Sequence, residues 1–554
     1  MCACSFQRKP ASRFYLFVIF YLLALPLVVT GATQSKKVPT VAKWGRYEQS
    51  FKSAVNYSNA LQDATLTAAF VSPLGETNRV YGFWDGGKVW RVRFSPDQPG
   101  RWVFTTACSD TANKGLHNQS AEFLCTAATG QTRFNQHGPV RVARDHRHFE
   151  HADATPFFWL ADTVWNGARV SDPKDWESYA HTRASQKFTV AQWALAPGAD
   201  LKKQLAFTGL DHIAINPEYF KRLDAKLETL SRAGILSAIA PLSEPGGERD
   251  SASALPDDQA ALLVRYAVAR WGTDPVAWLV AVGGDNQSKR IARWKRIGHS
   301  VFTGPHSPVI LYAGQNPGLF DSFRDQDWVD AFAGQSFGDV TDEALKQSIN
   351  GPLSPEWAKD PARPIICFVP RENASVAPSS KRLTADDVRH SIYWSLFLTV
   401  PAGISYSAEG VSDWNTAMKP RDQKAREAGF PLWQKSLFLP GAKQITALSS
   451  FLNSIEFWRL RPEASFVANQ PGNQLPHRFI AGAGTQTKDL TLVYSPEDRT
   501  LEIVLEALPP SPTVAWFNPR TGENSPAVAV VGARTCQFPT PDPGDWVLVM
   551  KAGK

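Results

Sequence analysis

At 554 residues, with 43% apolar and 20% charged positions, the chain is too long for a single core and too apolar for a disordered polymer. Its formal charge of +7 comes from 59 basic and 52 acidic residues scattered along the whole length, with no basic block of the kind that grips nucleic acid. Six cysteines are too few to staple a chain of this size, and no Cys/His spacing matches a structural zinc.

In chain order, Arg8, Lys9 and Arg13 come first, then the apolar run FYLFVIFYLLALPLVV and the small-residue stretch TGATQS. Charged, apolar and cleavable segments in that order predict a signal peptide over residues 1–34 and a secreted or periplasmic protein. The run is short for a spanning helix and no second one follows, so no stable membrane insertion is expected once the signal is cut. An uncleaved signal acting as a membrane anchor is the second reading of the same segment.

Residues 35–130 read as an N-terminal β-sandwich. LTAAFVSP, RVYGFWDGGKVWRVRFSP and GRWVFTTAC alternate apolar with polar residues, and Asp85-Gly86-Gly87 is a hairpin turn between aromatic-rich strands. Cys108 and Cys125 flank a polar loop and are the expected disulfide, while Cys367, inside an apolar run, is expected as a buried free thiol. Nothing in this segment carries chemistry.

Residues 131–458 change character. Eight short apolar runs, PFFWLAD, FTVAQWAL, ILSAIAPL, VAWLVAVGGD, PVILYAG, VDAFAGQSF, PIICFVP and GISYSAE, alternate with helical stretches such as PEYFKRLDAKLETLSRAG and ADDVRHSIYWSLFL. Eight βα units predict a closed (β/α)8 TIM barrel, with its active site at the C-terminal ends of the strands. A helix is expected over ITALSSFLNSIEFWRLRP. Residues 459–554 return to β with DLTLVYSP, RTLEIVLEA, PTVAWFNPRTGE and GDWVLVM, a C-terminal β-sandwich; DPGD at Asp542–Asp545 reads as the turn before its last strand.

In such a barrel the chemistry is sought where strands end. Asp162, Glu244, Asp285, Glu372 and Glu409 all fall there, with Trp165, Trp193, Tyr312 and Trp414 close by in sequence. Carboxylates with flat apolar faces describe a cleft for sugar rings, and so a polysaccharide or oligosaccharide partner with neither cofactor nor metal. Glycoside hydrolysis needs one carboxyl to protonate the leaving oxygen and a second to attack or to activate water. Asp285, in the strand-ending GGDN, is assigned the acid/base role, although a cap on the next helix would use the same residue. Glu372 is the candidate nucleophile, with Glu409 and Glu244 as alternatives. Asp162, Trp165, Asn166, Trp193, Asn286, Tyr312 and Trp414 are the candidate substrate contacts.

PFFWLADTVWNG, INPEYFKRLDAKLETLSRAGI, YAVARWGTDPVAWLVAVGGDN and YWSLFLTVPAGISYSAEGVSDWN resemble the apiosidase-like barrel family, glycoside hydrolase family 140 and its relatives. The first β segment resembles the β-domain often fused ahead of such barrels. AWFNPRTGE followed by GDWVLVM resembles the module called "putative collagen-binding domain of a collagenase". The resemblance covers nearly all of the chain beyond the signal and implies a retaining hydrolase with an Asp after strand four and a Glu at strand seven. Relatives carry a motif like NGEPxYE after strand seven. Here the segment is CFVPRENAS, so Val369 stands where the first glutamate would be and Glu372 reaches the second only across a one-residue gap. That departure keeps an alternative in view, a catalytically impaired carbohydrate- or matrix-binding protein on the same scaffold. The chain has no HExxH motif, which argues against a metallocollagenase.

Overall fold

A computed structural model describes residues 38–196, 198–242, 254–282, 287–336, 342–349, 353–376, 381–416 and 431–553. The signal-like segment, Glu244, and the Asp285–Asn286 pair lie outside the described residues.

Period-two patterning produces the first layer pair. A five-stranded sheet runs in the order Thr40–Ala42, Ser120–Thr126, Gly100–Cys108, Leu66–Val71 and Thr77–Tyr81, and faces a three-stranded sheet of Tyr47–Lys52, Val89–Phe94 and Phe83–Trp84. Their inner faces interlock through aromatic rings, Phe70 lying flat on Phe94 with centroids 4.2 Å apart and Tyr47 on Phe123 at 4.0 Å. Full burial of a side chain such as Phe70 stabilises by roughly 1.5–3 kcal/mol. The turn at Asp85–Gly87 forms as expected, with both glycines at positive φ and the Asp85 N–H donating to the Val89 carbonyl at 2.8 Å.

The expected Cys108–Cys125 bridge is not made, and both thiols are free and buried. Cys125 lies opposite Gly100 in the sheet register, whereas Cys108 is at the other end of the nine-residue strand that begins at Gly100. That separation is about 27 Å at ~3.4 Å per residue, where a disulfide needs Cα atoms within ~7 Å. Loop proximity in sequence misled because the loop turns back along the strand and carries Cys125 to its far end. Cys367 is a buried free thiol, its pKa pushed up to about 12 by burial.

The middle of the chain closes into a parallel eight-stranded barrel. Its strands are β1 Trp159–Thr163, β2 Val190–Ala194, β3 Leu236–Ala240, β4 Val276–Ala281, β5 Val309–Tyr312, β6 Ala331–Gln335, β7 Ile365–Phe368 and β8 Gly403–Tyr406. Seven lie inside their apolar runs, and β1 runs one residue past PFFWLAD, to Thr163. The helices that concern the site are α1 Pro173–Ser185, α2 Pro217–Arg232, α3 Asp257–Trp271, α4 Gln287–Val301, α5 Asp342–Ile349, α6 Ala385–Leu398 and α7 Pro440–Asn453. Gly234, the last residue of PEYFKRLDAKLETLSRAG, closes the turn after α2 at φ +75°. The helix expected over residues 445–462 is displaced: α7 begins at Pro440 and stops at Asn453, and Leu460–Pro462 is already a strand of the next sheet.

Two cores divide the strands. Trp159, Ala161, Ala194, Ala240, Ile310 and Phe368 fill the lumen; Leu160, Trp193, Trp278, Cys367, Ile404 and Tyr406 pack outward against the helices. A three-stranded sheet of Val140–Val142, Phe149–His151 and Pro156–Phe157 precedes the barrel, and Phe149 packs on Trp159 at the N-terminal end of the lumen, 5.5 Å between centroids. The C-terminal region forms a six-stranded sheet, from Leu460–Pro462 to Asn524–Pro526, facing a three-stranded one. Asp545, expected only as part of a turn, carries more: its carboxylate accepts two hydrogen bonds from Arg389 on α6, both 2.8 Å, and one from the Tyr494 hydroxyl at 3.1 Å.

Candidate active site

Strand alternation decides which side chains reach the barrel mouth. At the C-terminal ends the inner face turns polar. Thr163 donates to the Ser407 hydroxyl at 2.5 Å, and Ser405 donates to Gln192 Oε1 at 2.6 Å. Tyr312 leans on Phe368 with centroids 4.6 Å apart, and burial pushes its phenol up to about 12. Trp165 joins the same lumen cluster and is 6% exposed.

Beyond β7 the chain continues alongside the end of β8. Glu372 N donates to the Ser407 carbonyl and Glu409 N to the Glu372 carbonyl, each at 2.9 Å. Glu372 is bridged in parallel with Ala408, so the two point to one face, and Ala408 belongs to the outer core. Arg371 and Glu409 therefore take the opposite, inner face. There one Arg371 N–H group lies 3.2 Å from Glu409 Oε2 and 3.2 Å from Asp413 Oδ2. Glu409 is 7% exposed, and the guanidinium stands against its carboxyl.

Glu372, expected as the nucleophile, is directed away from this face. Its carboxyl sits between the barrel wall and α7, where one oxygen accepts the Gly441 N–H at 3.1 Å and the other accepts the Tyr406 hydroxyl. It is 2% exposed, and burial raises its pKa, with the Tyr406 and Gly441 donors and the charge of Arg183 pulling the other way.

Asp162 is likewise an outer-layer residue. It is fully buried, held by Arg183 Nε at 2.8 Å and the Tyr179 hydroxyl at 3.0 Å, both from α1. The two tryptophans expected as sugar platforms are closed into the same layer. Trp193 has no exposed surface and meets Trp271 edge to face, and Trp414 stacks on Trp433 at 4.1 Å. Neither offers a free ring face. Asn166 stands near the mouth, with its side-chain oxygen taken by Arg169.

Thus the structure brings Trp165, Tyr312 and Glu409 to the inner face and turns Asp162, Trp193, Glu372 and Trp414 outward. Arg371 and Asp413 are the residues that sequence reasoning passed over. Both sit beside residues it did choose, Arg371 in CFVPRENAS and Asp413 in EGVSDWN. Among the described residues no group of three His, Cys, Asp or Glu side chains could hold a metal.

Comparison with known proteins agrees with this layout. The family model "Apiosidase-like, catalytic domain" matches residues 143–459, more than half of the chain and the whole barrel. The chain belongs to the apiosidase-like family. Ahead of the apiosidase-like barrel, residues 40–109 match a domain of unknown function, DUF5060, and behind it residues 462–551 match the "Putative collagen-binding domain of a collagenase". Among solved structures, a Bacteroides vulgatus ATCC 8482 protein described as a "putative glycoside hydrolase" superposes with a TM-score of 0.69 at 16% identity, covering 93% of this chain and 99% of its own. A "glycoside hydrolase family 5" protein from the same organism gives 0.65 at 18% identity, over 76% of this chain and 95% of its own. At such identities these likenesses establish a shared fold. A search of curated proteins by sequence finds no match.

Proposed function

We propose that this protein is an exported, retaining glycoside hydrolase that cleaves a glycosidic bond in a polysaccharide side chain, with Asp285 as acid/base and Glu409 as the second carboxyl. The observation that carries the reading is the orientation of Glu409. It is a shielded carboxylate on the inner face of β8's continuation, beside Arg371, whereas Glu372 points into the outer layer. A nucleophile needs a fixed place at the mouth, and the Arg371 contact at 3.2 Å holds the Glu409 carboxyl there. Asp285 enters from its place in the sequence, four residues beyond the end of β4 at Ala281. Retention would need the two carboxyls ~5–5.5 Å apart. Family membership supports the glycosidase class, and the charged, apolar and cleavable order of the first 34 residues supports export.

Release of 4-nitrophenol from a panel of aryl glycosides, together with sugar release from plant and algal polysaccharides, tests the activity. Proton NMR of the first-formed anomer tests retention. Binding to a polysaccharide without turnover of any panel member would instead favour the carbohydrate-binding reading, which rests on Val369, an apolar residue packed in the outer core.

A further inference from the structure

We infer that Glu372 is a positioning residue, a carboxylate that ties the start of α7 to the strand end carrying Glu409 and so sets the place of Glu409 at the barrel mouth. The inference rests on the proposed role of Glu409.

Helix α7 starts with Pro440, which has no N–H, and its N-cap residue Leu439 has no side chain able to cap. The first free N–H of the helix belongs to Gly441 and needs an acceptor from elsewhere. Glu372 supplies it across the barrel wall, at 3.1 Å, where a negative group also meets the positive end of the helix dipole. The position is shaped for that contact, because a Cβ on Gly441 would stand 2.2 Å from Glu372 Oε2. Tyr406, the last residue of β8, donates its hydroxyl to that oxygen.

The backbone completes the link. The Glu372 carbonyl accepts the Glu409 N–H at 2.9 Å, so the residue that holds α7 with its side chain holds Glu409 with its main chain. The segment before α7 is fixed by the same layer, since Arg183 of α1 and Gln186, just past its end, donate to the Leu437 carbonyl at 3.1 and 2.8 Å. A shift of Glu372 away from α7 therefore shifts Glu409 at the mouth.

The test compares Glu372→Gln, Glu372→Ala and Tyr406→Phe by turnover of whichever 4-nitrophenyl glycoside the panel identifies, and by hydrogen exchange at the Gly441 and Glu409 amides. A glutamine keeps an oxygen for Gly441 and can still bond the Tyr406 hydroxyl, so Glu372→Gln should stay within a few-fold of the parent in kcat with unchanged exchange. Glu372→Ala should lose about 10–100-fold in kcat with little change in KM, since small misplacements of a reacting group cost on that order, and both amides should exchange faster. Tyr406→Phe, which keeps the ring, should fall between them and serves if the alanine variant does not fold. Loss of more than about 1,000-fold in Glu372→Gln with normal exchange would make Glu372 a nucleophile and overturn the proposal. Exchange at Glu409 unaltered in Glu372→Ala would overturn it equally. If no glycoside is turned over, the hydrolase reading fails, while the exchange measurement still decides whether Glu372 holds the two segments.

Discussion

At the scale of single residues, the face on which a carboxyl lands decides its chemistry. Asp285→Asn is expected to lower turnover by ~10²–10⁴, the usual worth of a general acid or base. The loss in bond cleavage should be smaller for phenolic leaving groups, which depart without a proton; equal losses for activated and unactivated glycosides would argue against the acid role. Glu409→Gln should impair both substrate types alike, because no leaving group compensates for a missing nucleophile. A variant as active as the parent would remove Glu409 from the mechanism. Asp162 and Glu372 were misplaced by sequence reasoning for a definite reason. In a strand buried on both sides, WLADT, each alternating set carries one polar residue, Asp162 in one and Thr163 in the other, so the pattern does not say which side faces the lumen. Past the end of β7, the side taken by Glu372 depends on its isolated bridge to Ala408, beyond the end of β8, and a one-residue change in that register would reverse it.

At the scale of elements, most of the barrel was readable. Eight apolar runs became eight strands because each is short and largely apolar on both faces, and all but one are followed by an α-helix; β5 is followed only by a short 3-10 segment, Pro317–Ser322. Boundaries were less readable where caps come from outside the helix, as at α7, whose start is held by a residue nearly seventy positions away. A related contact predicts a pH effect. Lys226 of α2 is buried and donates to the Ser171 carbonyl and hydroxyl and to the Asp172 carbonyl, at 2.7–2.9 Å, where the chain enters α1. Burial lowers its pKa from 10.5 to about 8. Between those values the unfolded chain holds the extra proton, so this group's contribution to stability rises with pH over that window and is flat below it. The stability difference between the parent and Lys226→Met, from urea unfolding at pH 7 and pH 10, should move in the parent's favour at the higher pH. A difference independent of pH would show that the lysine titrates alike in both states. Gly441→Ala should destabilise by about 1–3 kcal/mol, the usual cost of overpacking, read as a lower urea midpoint at constant slope.

At the scale of the whole molecule, buried ion pairs join the β regions to the barrel, and composition gave no sign of them. Arg270 of α3 reaches Asp85 of the first sandwich at 2.9 Å and Asp224 of α2 at 2.7 Å, while Arg389 of α6 holds Asp545 of the last. Their signal in the sequence is one charge in each otherwise ordinary segment, which becomes informative only once the partner is known. Arg389→Met would leave the fully buried Asp545 carboxylate only the Tyr494 hydroxyl and Arg520 at 3.9 Å and should cost up to about 3–5 kcal/mol, with the barrel and the C-terminal sheets melting in separate calorimetric transitions instead of one. A single unaltered transition would show the pair to be dispensable. The Arg389–Asp545 contact also bears on how such a protein can be rearranged by recombination. A terminal module attached by a flexible tether can be exchanged by cutting the tether, but one whose buried acid is neutralised by a barrel helix cannot leave without exposing a charge defect on both sides. A transplanted C-terminal module of this kind should therefore fold well only beside a barrel that offers an arginine at the matching turn of its helix, so the two halves are constrained to travel together.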